Sequence, residues 1–496
     1  MDLSRLAEIE RCALALASAA KSLAEYYSRQ VPDTNADAHA HAHPSSASKS
    51  PSMDTSSGFL FVAPTAPETV HRARRVVLGN ATKLQSLVRQ PKDFLQQLAN
   101  QTQLLACLHW LGEFQVLACI PLKGSVPVQD VAALTGVPES VLLRVVRMAS
   151  TAGFLCEPPE HPRHVAHTSL SADFVTEPLL ADAASFLAGT LAPAALNMAA
   201  TTRRHGKPGG PEQSAFSLIS QTQKSPVPLA FSVACEQQPR LQRQWAAYRR
   251  SSAETHESGV AEALSRLDWS GWSSACIVEA LGPLHRNNRY TYEPCPSTMA
   301  RHLAARYGSQ VEITIQFLRG PASDSSASHA QTVPSPPSPP LPGAILQHRS
   351  AGQPQNIRHA ALYVLHWQDW AYLLPPPPSA GSNVGAALKS ELTAELQAHL
   401  GIMRENRTAT LVVAMRLLPD AAADNSIDRD PSVEAVARAC DLTLLQLANS
   451  AMLHVGEVVD LIQSVEGGGG RLVVVSRAKA EATNEVVALG VKFQAV

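Results

Sequence analysis

One short stretch of this chain has the position of a nucleotide-binding loop. It reads V-E-A-L-G-P-L-H over residues 278–285, and an apolar strand over about Cys276–Leu281 leads into it. Such loops use several glycines, because the backbone must take positive φ angles and approach a cofactor closely. The stretch contains a single glycine, Gly282. The sequence therefore indicates a cofactor loop that has lost its other glycines and, with them, its cofactor.

A second candidate for chemistry is His366, at the end of another apolar strand. An imidazole in this position can accept a proton from a substrate hydroxyl if neighbouring groups orient it. The following residues are W-Q-D-W, so Asp369 is the next carboxylate along the chain. A lone histidine at a strand end is more often a core or hydrogen-bonded residue than a base, and we favour that interpretation for His366.

Both candidates fall in the second half of the chain, where apolar strands alternate with helical segments. This alternation predicts an α/β fold with a doubly wound, mostly parallel sheet, in which ligands bind at the carboxyl ends of the strands. The predicted strands are Cys276–Leu281, Val311–Leu318, Ala360–His366, Thr408–Leu417, Arg471–Ser476 and Val486–Gln494. The predicted helices are Ser297–Tyr307, Ala386–Leu400 and Val433–Ala448.

The composition excludes several classes of protein. Among 496 residues, 41 Lys and Arg stand against 42 Asp and Glu, and the net charge of -1 gives no overall attraction to nucleic acid or membranes. The eight cysteines are scattered without a C-x-x-C pair. This pattern favours buried thiols in a reducing compartment over a disulfide framework or a zinc cluster, so we expect no metal.

Two apolar stretches outside the sheet predict helices of a soluble, intracellular protein. Residues 1–30 repeat apolar side chains at helical spacing after an acidic start, which predicts an amphipathic helix and not a signal peptide. The uncharged run Ala183–Thr202 is long enough to span a bilayer, but its alanines, its polar residues and Pro193 favour a buried pair of helices. We expect no contact with a membrane.

Two low-complexity segments divide the chain. Residues 31–57 contain A-H-A-H-A-H-P-S-S and hold too little apolar surface to order themselves. The alternating His39, His41 and His43 could bind a metal ion, although a solvated linker is the preferred interpretation. Residues 320–343 contain S-P-P-S-P-P-L-P, which favours a polyproline II strip inserted in a surface loop.

The segment Pro127–Phe154 predicts two helices joined by a tight turn at Thr135 and Gly136, with two short strands after them. This is the pattern of a winged helix-turn-helix, so direct DNA binding has to be weighed. A recognition helix presents Arg, Lys, Asn or Gln to base edges, whereas this one offers only Arg144 and Arg147 among apolar side chains. The sequence therefore favours a module for packing and dimerisation.

A module of this kind followed by this sheet resembles the small-molecule O-methyltransferases that use S-adenosylmethionine. The resemblance extends from about Leu98 to the C-terminus, and Leu365-His366 matches the start of the L-H-D-W motif that carries the family's catalytic histidine. Further signatures are H-T-x-x-S-x-x-F-V at residues 167–175, P-A-A at 193–195 and R-Q-W-A-A-Y at 243–248. The run H-W-L-G-E-F-Q-V-L-A-C-I-P-L at residues 109–122 is similar to a fungal subset, the AflJ/AflS-type coactivators of aromatic polyketide gene clusters such as that for aflatoxin.

Compared with the methyltransferases, three cofactor contacts are missing. The family's first loop reads about V-D-V-G-G-G-x-G, whereas here Glu279 keeps a carboxylate but Leu281 and Pro283 flank the single glycine. The second strand ends in I-Q-F-L-R without the acidic residue for the ribose, and H-R-S-A-G at residues 348–352 replaces the next acidic position. If each contact contributes about 1–2 kcal/mol, affinity for the cofactor falls by several orders of magnitude.

The catalytic positions that the resemblance implies are altered too. Asp369 is out of register with the family's D-W-x-D, and Met415 stands where an acidic residue is usual. The second carboxylate is lost in N-S-A-M at residues 449–452. The resemblance therefore implies a non-catalytic member without a bound cofactor, in which His366 is a vestige of the base and Glu279 and Gly282 are remnants of the loop.

The function implied by the resemblance is transcriptional coactivation of a secondary-metabolite gene cluster through a zinc-cluster transcription factor. The protein would act in the nucleus as a homodimer, without reading DNA sequence itself. Two alternatives stay open: an active O-methyltransferase on a polyketide phenol, and direct DNA binding through the winged helix. The basic runs at residues 72–75 and 203–207 could serve nuclear import, although solvated helix faces explain them equally well.

The predicted organisation has five parts. They are an amphipathic helix (residues 1–30), a disordered linker (31–57), a helical, winged-helix dimerisation domain (58–180), a helical connection (181–260) and a Rossmann-like class I methyltransferase domain (261–496) that carries the proline-rich insertion 320–343.

Overall fold

A computed structural model describes residues 3–29, 62, 66–207, 209–223, 228–251, 276–284, 312–319, 344–367, 384–419, 431–479 and 486–495. The chain forms two compact units, Met1–Ala188 and Gly189–Val496. The linker 31–57, the insertion 320–343 and the helix predicted over Ser297–Tyr307 lie outside the described residues. The division into five parts stays a prediction.

The first unit begins with two long helices, α1 (Leu3–Ser28) and α2 (Glu68–Val88), which pack against each other. Leu23 of α1 and Val70 of α2 belong to one buried cluster. The amphipathic helix predicted at the N-terminus is therefore confirmed. A third helix, α3 (Pro91–Glu113), begins with a proline and a capping box, both of which favour a helix start.

A compact core follows, built from the helix pair that the sequence predicts. Helix α4 (Val128–Thr135) ends at Gly136, whose φ of 69° is the left-handed conformation that the tight turn requires, and α5 (Glu139–Thr151) follows it. Leu142 and Val146 of α5 are fully buried in this core. The predicted helices and turn are confirmed, whereas the winged-helix interpretation of the region stays a prediction.

The same core includes a small antiparallel sheet with the order β1-β3-β2. Its strands are β1 (Ser125–Pro127), β2 (Leu155–Cys156) and β3 (His164–His167). Two further helices, α6 (Ser169–Thr176) and α7 (Pro178–Phe186), complete the unit.

One helical stretch in the described part of the chain, Pro178–Leu196, is long and apolar enough to cross a membrane by length and composition alone. A π-helical turn at Leu187–Leu191 interrupts it. Phe186 and Ala194 are fully buried, while Leu196 is 83% exposed. The buried helices predicted for this region are therefore buried on one face only.

The second unit begins with short helices and continues into the large sheet. Four of these helices are α8 (Ala192–Leu196), α9 (Met198–His205), α10 (Ala215–Gln223) and α11 (Phe231–Gln237), and residues 239–251 are helical as well. Phe231 packs edge to face against Phe216 and Trp245, so an aromatic cluster joins α10, α11 and the helical residues 239–251.

Within the part of the chain that the structure describes, the sheet has seven strands in the order β6-β5-β4-β7-β8-β10-β9. The strands are β4 (Cys276–Leu284), β5 (Glu312–Arg319), β6 (Ala344–Ser350), β7 (Leu362–His366), β8 (Thr410–Arg416), β9 (Gly470–Lys479) and β10 (Val486–Ala495). All pairs from β6 to β8 are parallel, and β10 is antiparallel to both of its neighbours. The predicted mostly parallel sheet is confirmed, and β6 is a strand that the sequence did not predict.

Among the described residues, three helices connect the later strands. The crossover helix (Val384–Glu405) links β7 to β8, and the helices Pro431–Ala448 and Val455–Gln463 link β8 to β9. The first two confirm helices predicted over Ala386–Leu400 and Val433–Ala448. The third was not predicted; a capping box between His454 and Glu457 marks its start.

Candidate functional site

The glycine expected to open a cofactor loop lies inside a strand. β4 continues through Gly282 and Pro283 to Leu284, and its register against β5 shifts between Leu281 and Leu284. Gly282 is not among the residues with positive φ. Proline has no N–H for a sheet ladder and prefers strand ends and irregular positions, which agrees with this shift. The prediction that the strand ends near Leu281 is therefore wrong by three residues.

The space beside Gly282 is occupied by Trp367. A Cβ atom on Gly282 would lie 3.4 Å from Cδ2 of Trp367 and 3.4 Å from the backbone oxygen of His366. Trp367 is fully buried, and its backbone N–H donates to the Ala414 oxygen at 2.9 Å. The nearest neighbours of Gly282 on this side are therefore groups of the protein itself, at ordinary van der Waals distance.

His366 and Glu279 meet on one face of the sheet. In the register of β4 and β7, Glu279 is opposite Val364 and Leu281 is opposite His366, so both side chains leave the sheet on the same side. Nδ1 of His366 is 3.5 Å from Oε1 of Glu279, and the two side chains are 2% and 0% exposed. The sequence indicates Glu279 as a remnant of the cofactor loop, whereas its position beside the histidine is not predicted from the sequence.

On β8, the residue that shares this face is Arg416 and not Met415. Ala414 is opposite His366, and side chains two positions apart along a strand lie on the same face. Arg416 is 3% exposed, so a buried cation, a carboxylate and an imidazole share this face. Met415 is also buried, on the opposite face. Asp369 lies outside the described residues.

At the end of β6, where the resemblance implies an acidic residue, Arg349 forms a buried ion pair with Glu395 of the crossover helix. The Glu395 carboxylate also accepts a hydrogen bond from the backbone N–H of Gly352 at 2.9 Å. Nε of Arg349 donates to Oε1 of Gln316 at 3.1 Å. A carboxylate is thus present near this edge, but a helix supplies it and an arginine binds it.

Two buried amides and a histidine extend this polar network. Gln316 and Gln355 exchange hydrogen bonds of 2.9 and 2.8 Å, and Nε2 of Gln355 is 3.2 Å from Nε2 of His399. The Nδ1 of His399 is 2.9 Å from the Glu395 backbone oxygen. These contacts fit a neutral ring that donates from Nδ1 and accepts at Nε2. Burial lowers the pKa of His399, which favours the same form.

The run N-S-A-M at residues 449–452, where the resemblance implies a second carboxylate, lies at the end of a helix. Asn449 ends a helix in the left-handed conformation, with φ of 51°, and its amide donates to the Gly210 oxygen at 3.0 Å. The Asp441 carboxylate accepts from the backbone N–H of Met452 at 2.8 Å. The run at residues 449–452 therefore closes a helix.

The arginines of the predicted recognition helix differ in their contacts. Arg147 pairs with Glu157, with Nε 3.0 Å from Oε2, and this hydrogen bond is the main cause of the lowered pKa of Glu157. Arg144 is exposed. Since Glu157 neutralises one of the two cations, the helix offers little positive charge to a phosphate backbone.

In the described part of the carboxyl edge, two positions differ from those that the resemblance implies for S-adenosylmethionine. Gly282 is extended, half-buried and next to Trp367, and the carboxylate at the end of β6 is bound by Arg349. A general base has to reach the proton that it accepts. His366 is buried, and the neighbour that the structure places beside it is a carboxylate of the protein.

Solved structures define the class of fold. The chain is similar to the mitomycin 7-O-methyltransferase MmcR (TM-score 0.51, 14% identity, 81% of this chain and 98% of that chain). It is also similar to the N,N-8-amino-8-demethyl-D-riboflavin dimethyltransferase RosA from Streptomyces davawensis (TM-score 0.55, 14% identity, 82% of this chain and 100% of that chain). At such identities the likeness shows the fold alone: a methyltransferase-like α/β protein with an N-terminal helical region.

Related sequences then identify the family. Residues 6–89 match the family described as the trypacidin cluster transcriptional coactivator tpcD N-terminal domain. The monodictyphenone cluster transcriptional coactivator mdpA of Emericella nidulans is 39% identical over 88% of this chain and 91% of its own length. The dothistromin biosynthesis regulatory protein aflJ of Dothistroma septosporum is 38% identical over 84% and 88%. The chain belongs to this family of fungal transcriptional coactivators of secondary-metabolite gene clusters.

Proposed function

We propose that this coactivator is non-catalytic and acts through a zinc-cluster transcription factor encoded in the same aromatic polyketide gene cluster. The observation that carries the proposal is the carboxyl edge of the sheet, where Trp367 lies beside Gly282 and Arg349 binds Glu395. A methyltransferase-like fold in which the protein's own side chains contact these positions can still serve as a scaffold for contacts with other proteins. The names of the related proteins support the regulatory role.

The scaffold works as a homodimer in this proposal. Three large apolar side chains on the first half of α3 are exposed: Phe94 by 48%, Leu95 by 66% and Leu98 by 45%. Clustered exposed apolar groups of this kind mark protein–protein contacts. A dimer that holds two partner molecules raises their effective concentration at paired promoter sites.

The protein acts in the nucleus, together with its partner. The basic run at residues 72–75 lies on α2, where Arg72 and Arg74 are exposed. The second run ends α9, where Arg203 and His205 are exposed. Clusters of exposed Lys and Arg are the form in which import signals are recognised.

Two measurements on the purified full chain and one transcription assay in cells test the proposal. Calorimetric titration with S-adenosylmethionine at millimolar concentration is expected to give no binding heat. A pull-down with the zinc-cluster regulator of the neighbouring gene is expected to retain that regulator, and coexpression of the two is expected to raise transcription from a cluster promoter. Saturable cofactor binding together with no retention of the regulator would overturn the proposal.

An active O-methyltransferase on a polyketide phenol is the second candidate. The observation in its favour is the contact between His366 and Glu279, an imidazole and a carboxylate 3.5 Å apart near the carboxyl edge. This candidate requires methyl transfer to a phenol in the presence of the cofactor. The absence of product after overnight incubation with micromolar protein, combined with a flat cofactor titration, would remove it.

Direct DNA reading is disfavoured by the ion pair between Arg147 and Glu157. A DNA-binding module predicts steep salt dependence, with each phosphate contact adding about one unit to the slope of log affinity against log salt. A mobility-shift assay with cluster promoters and no partner is expected to show no shift. A mobility shift that weakens steeply with increasing salt would instead support direct DNA binding.

A further inference from the structure

Three potential metal ligands meet at the amino ends of neighbouring strands, on the edge of the sheet opposite to the candidate site. They are Cys276, the first residue of β4; Glu312, the first residue of β5; and His359, shortly before β7. β5, β4 and β7 are adjacent in the sheet. The thiol sulfur, a carboxylate oxygen and a ring nitrogen of these residues all lie within 4.8 Å of one another.

The backbone holds two of these groups in fixed positions. Cys276 and Glu312 are register partners in the parallel pair of β4 and β5, so their side chains leave the sheet on the same side. The carbonyl oxygen of Cys276 accepts a hydrogen bond from the N–H of Ala361 at 2.9 Å, which ties β4 to the segment that carries His359.

The segment before β7 is itself anchored on both sides of His359. The Tyr363 hydroxyl donates to the Ile357 oxygen at 2.8 Å, and Nη1 of Arg358 is 3.2 Å from Oε2 of Glu405. The N–H of Thr410 donates to the Ala361 oxygen at 2.9 Å. His359 is therefore presented by a short, well-tethered loop, which keeps the entropy lost on metal binding small.

The donor set points to one kind of metal. A thiolate, an imidazole and a carboxylate suit zinc, whereas magnesium and calcium take oxygen ligands. Zinc bonds of about 2.0–2.3 Å in a tetrahedron place ligand atoms about 3.3–3.8 Å apart, so closure of each pair of ligand atoms by at most about 1.5 Å is sufficient. Cys276 is buried, while Glu312 and His359 are exposed, which gives the ion access from solvent and leaves room for a water as fourth ligand.

We propose that Cys276, Glu312 and His359 form a zinc site that links the amino ends of β5, β4 and β7. In the metal-free chain, burial raises the pKa of Cys276 to about 11, with a further contribution from the Glu312 carboxylate. The thiol is then neutral at physiological pH and loses its proton to solvent when zinc binds. The site lies apart from the candidate site at the carboxyl edge and does not depend on the proposed function.

Cobalt(II) titration of the purified full chain tests the site, because a thiolate ligand to cobalt gives a near-ultraviolet charge-transfer band. One equivalent of cobalt is expected to produce this band, and zinc is expected to remove it by displacement. Histidines of the linker, including His39, His41 and His43, cannot give a thiolate band. They are nevertheless replaced by glutamine in the reference protein so that the stoichiometry is clean.

Cys276→Ser is expected to abolish the band, and Cys156→Ser, at a partly buried cysteine of the first unit, is expected to retain it. His359→Ala changes an exposed residue and so preserves the fold; it is expected to weaken cobalt binding by about tenfold or more. Absence of the band in the reference protein at saturating cobalt, or its persistence in Cys276→Ser, would overturn the proposal. Unchanged affinity in His359→Ala would overturn it equally.

Discussion

Nδ1 of His366 and Oε1 of Glu279 lie 3.5 Å apart, on adjacent parallel strands and in the interior of the sheet. Each side chain therefore has an ionisable neighbour within the protein. Buried polar groups are tolerated when such neighbours satisfy them, and removing one member leaves the other without compensation. We interpret the pair as part of the scaffold's interior.

His366→Asn tests this interpretation of the pair. If the coactivator is non-catalytic, transcription from a cluster promoter in the presence of the partner is expected to stay within about twofold of the wild type, whereas loss of a general base lowers a reaction rate by about 10²–10⁴-fold. The reporter signal and the urea unfolding midpoint are measured together, and Glu279→Gln provides the matched change on β4. A folded His366→Asn variant whose reporter signal falls a hundredfold would contradict the non-catalytic interpretation.

Gly282→Ala separates a cofactor loop from a strand. The backbone of Gly282 is not left-handed, and the new Cβ would meet nothing closer than 3.4 Å, so we expect the free energy of unfolding to change by less than about 1 kcal/mol. Gly352→Ala is the control, since φ of 74° and a Cβ 3.2 Å from Ala394 make substitution costly, about 1–2 kcal/mol. Urea unfolding of both variants measures the change in the free energy of unfolding. Equal losses of stability in Gly282→Ala and Gly352→Ala would refute the interpretation of Gly282 as a strand residue.

The buried pair of Arg349 and Glu395 should couple strongly. Removing one charge in Arg349→Met or Glu395→Leu leaves the other unpaired in the interior, and we expect each single change to cost about 3–5 kcal/mol. The double variant buries no unpaired charge and is expected to lose clearly less than the sum. Denaturant unfolding of the four proteins gives the coupling energy. Additive losses would mean that the two side chains do not stabilise each other.

The sheet could be predicted because its central strands are short apolar runs buried on both faces. In β7 every residue from Leu362 to His366 is buried, and this pattern is visible in the letters L-Y-V-L-H. β6 gives no such signal: it is an edge strand that reads A-I-L-Q-H-R-S, and Ile345 and Leu346 are exposed. The end of β4 was missed because a glycine and a proline usually mark a turn, whereas a shifted register accommodates them here.

Glu395 and His399 were missed as partners of the sheet for a different reason. Both are polar residues four positions apart on the buried face of the crossover helix, and that spacing is the signal that the sequence offered. The contact of Glu395 with Arg349 arises from the order of strands in the sheet, and the local sequence pattern does not encode that order. The same holds for His366 and Glu279, which come together only through the parallel register of β4 and β7.

The buried imidazole of His399 should make stability depend on pH. The ring faces Glu395, Arg349, Gln355 and Tyr363, and burial lowers its pKa below the ordinary value of about 6.5. The unfolded chain then binds the proton more tightly than the folded chain. Stability from this group is complete above about pH 6.5 and is lost as the pH falls below it, by at most about 1.4 kcal/mol per unit.

His399→Gln is expected to reduce the slope of the unfolding free energy against pH between about pH 6.5 and 5. Burial also lowers the pKa of His167 in the first unit, so this histidine contributes to the same dependence of unfolding free energy on pH. His167→Gln measures that contribution separately, and it is the matched comparison for His399→Gln. Urea unfolding at several pH values gives both slopes. An unchanged slope in His399→Gln would show that this ring takes up no extra proton on unfolding.

The apolar surface of α3 predicts a dimer that charge can dissociate. Leu95 and Leu98 are 66% and 45% exposed on one side of the helix, and glutamates at both positions would have to be buried without partners in an interface. Leu95→Glu with Leu98→Glu is therefore expected to convert the dimer to a monomer in light scattering after gel filtration. Leu134→Glu, at a leucine of α4 that is 71% exposed, is expected to stay dimeric. A monomeric wild-type protein, or a dimer that survives both glutamates, would contradict the assignment of this surface.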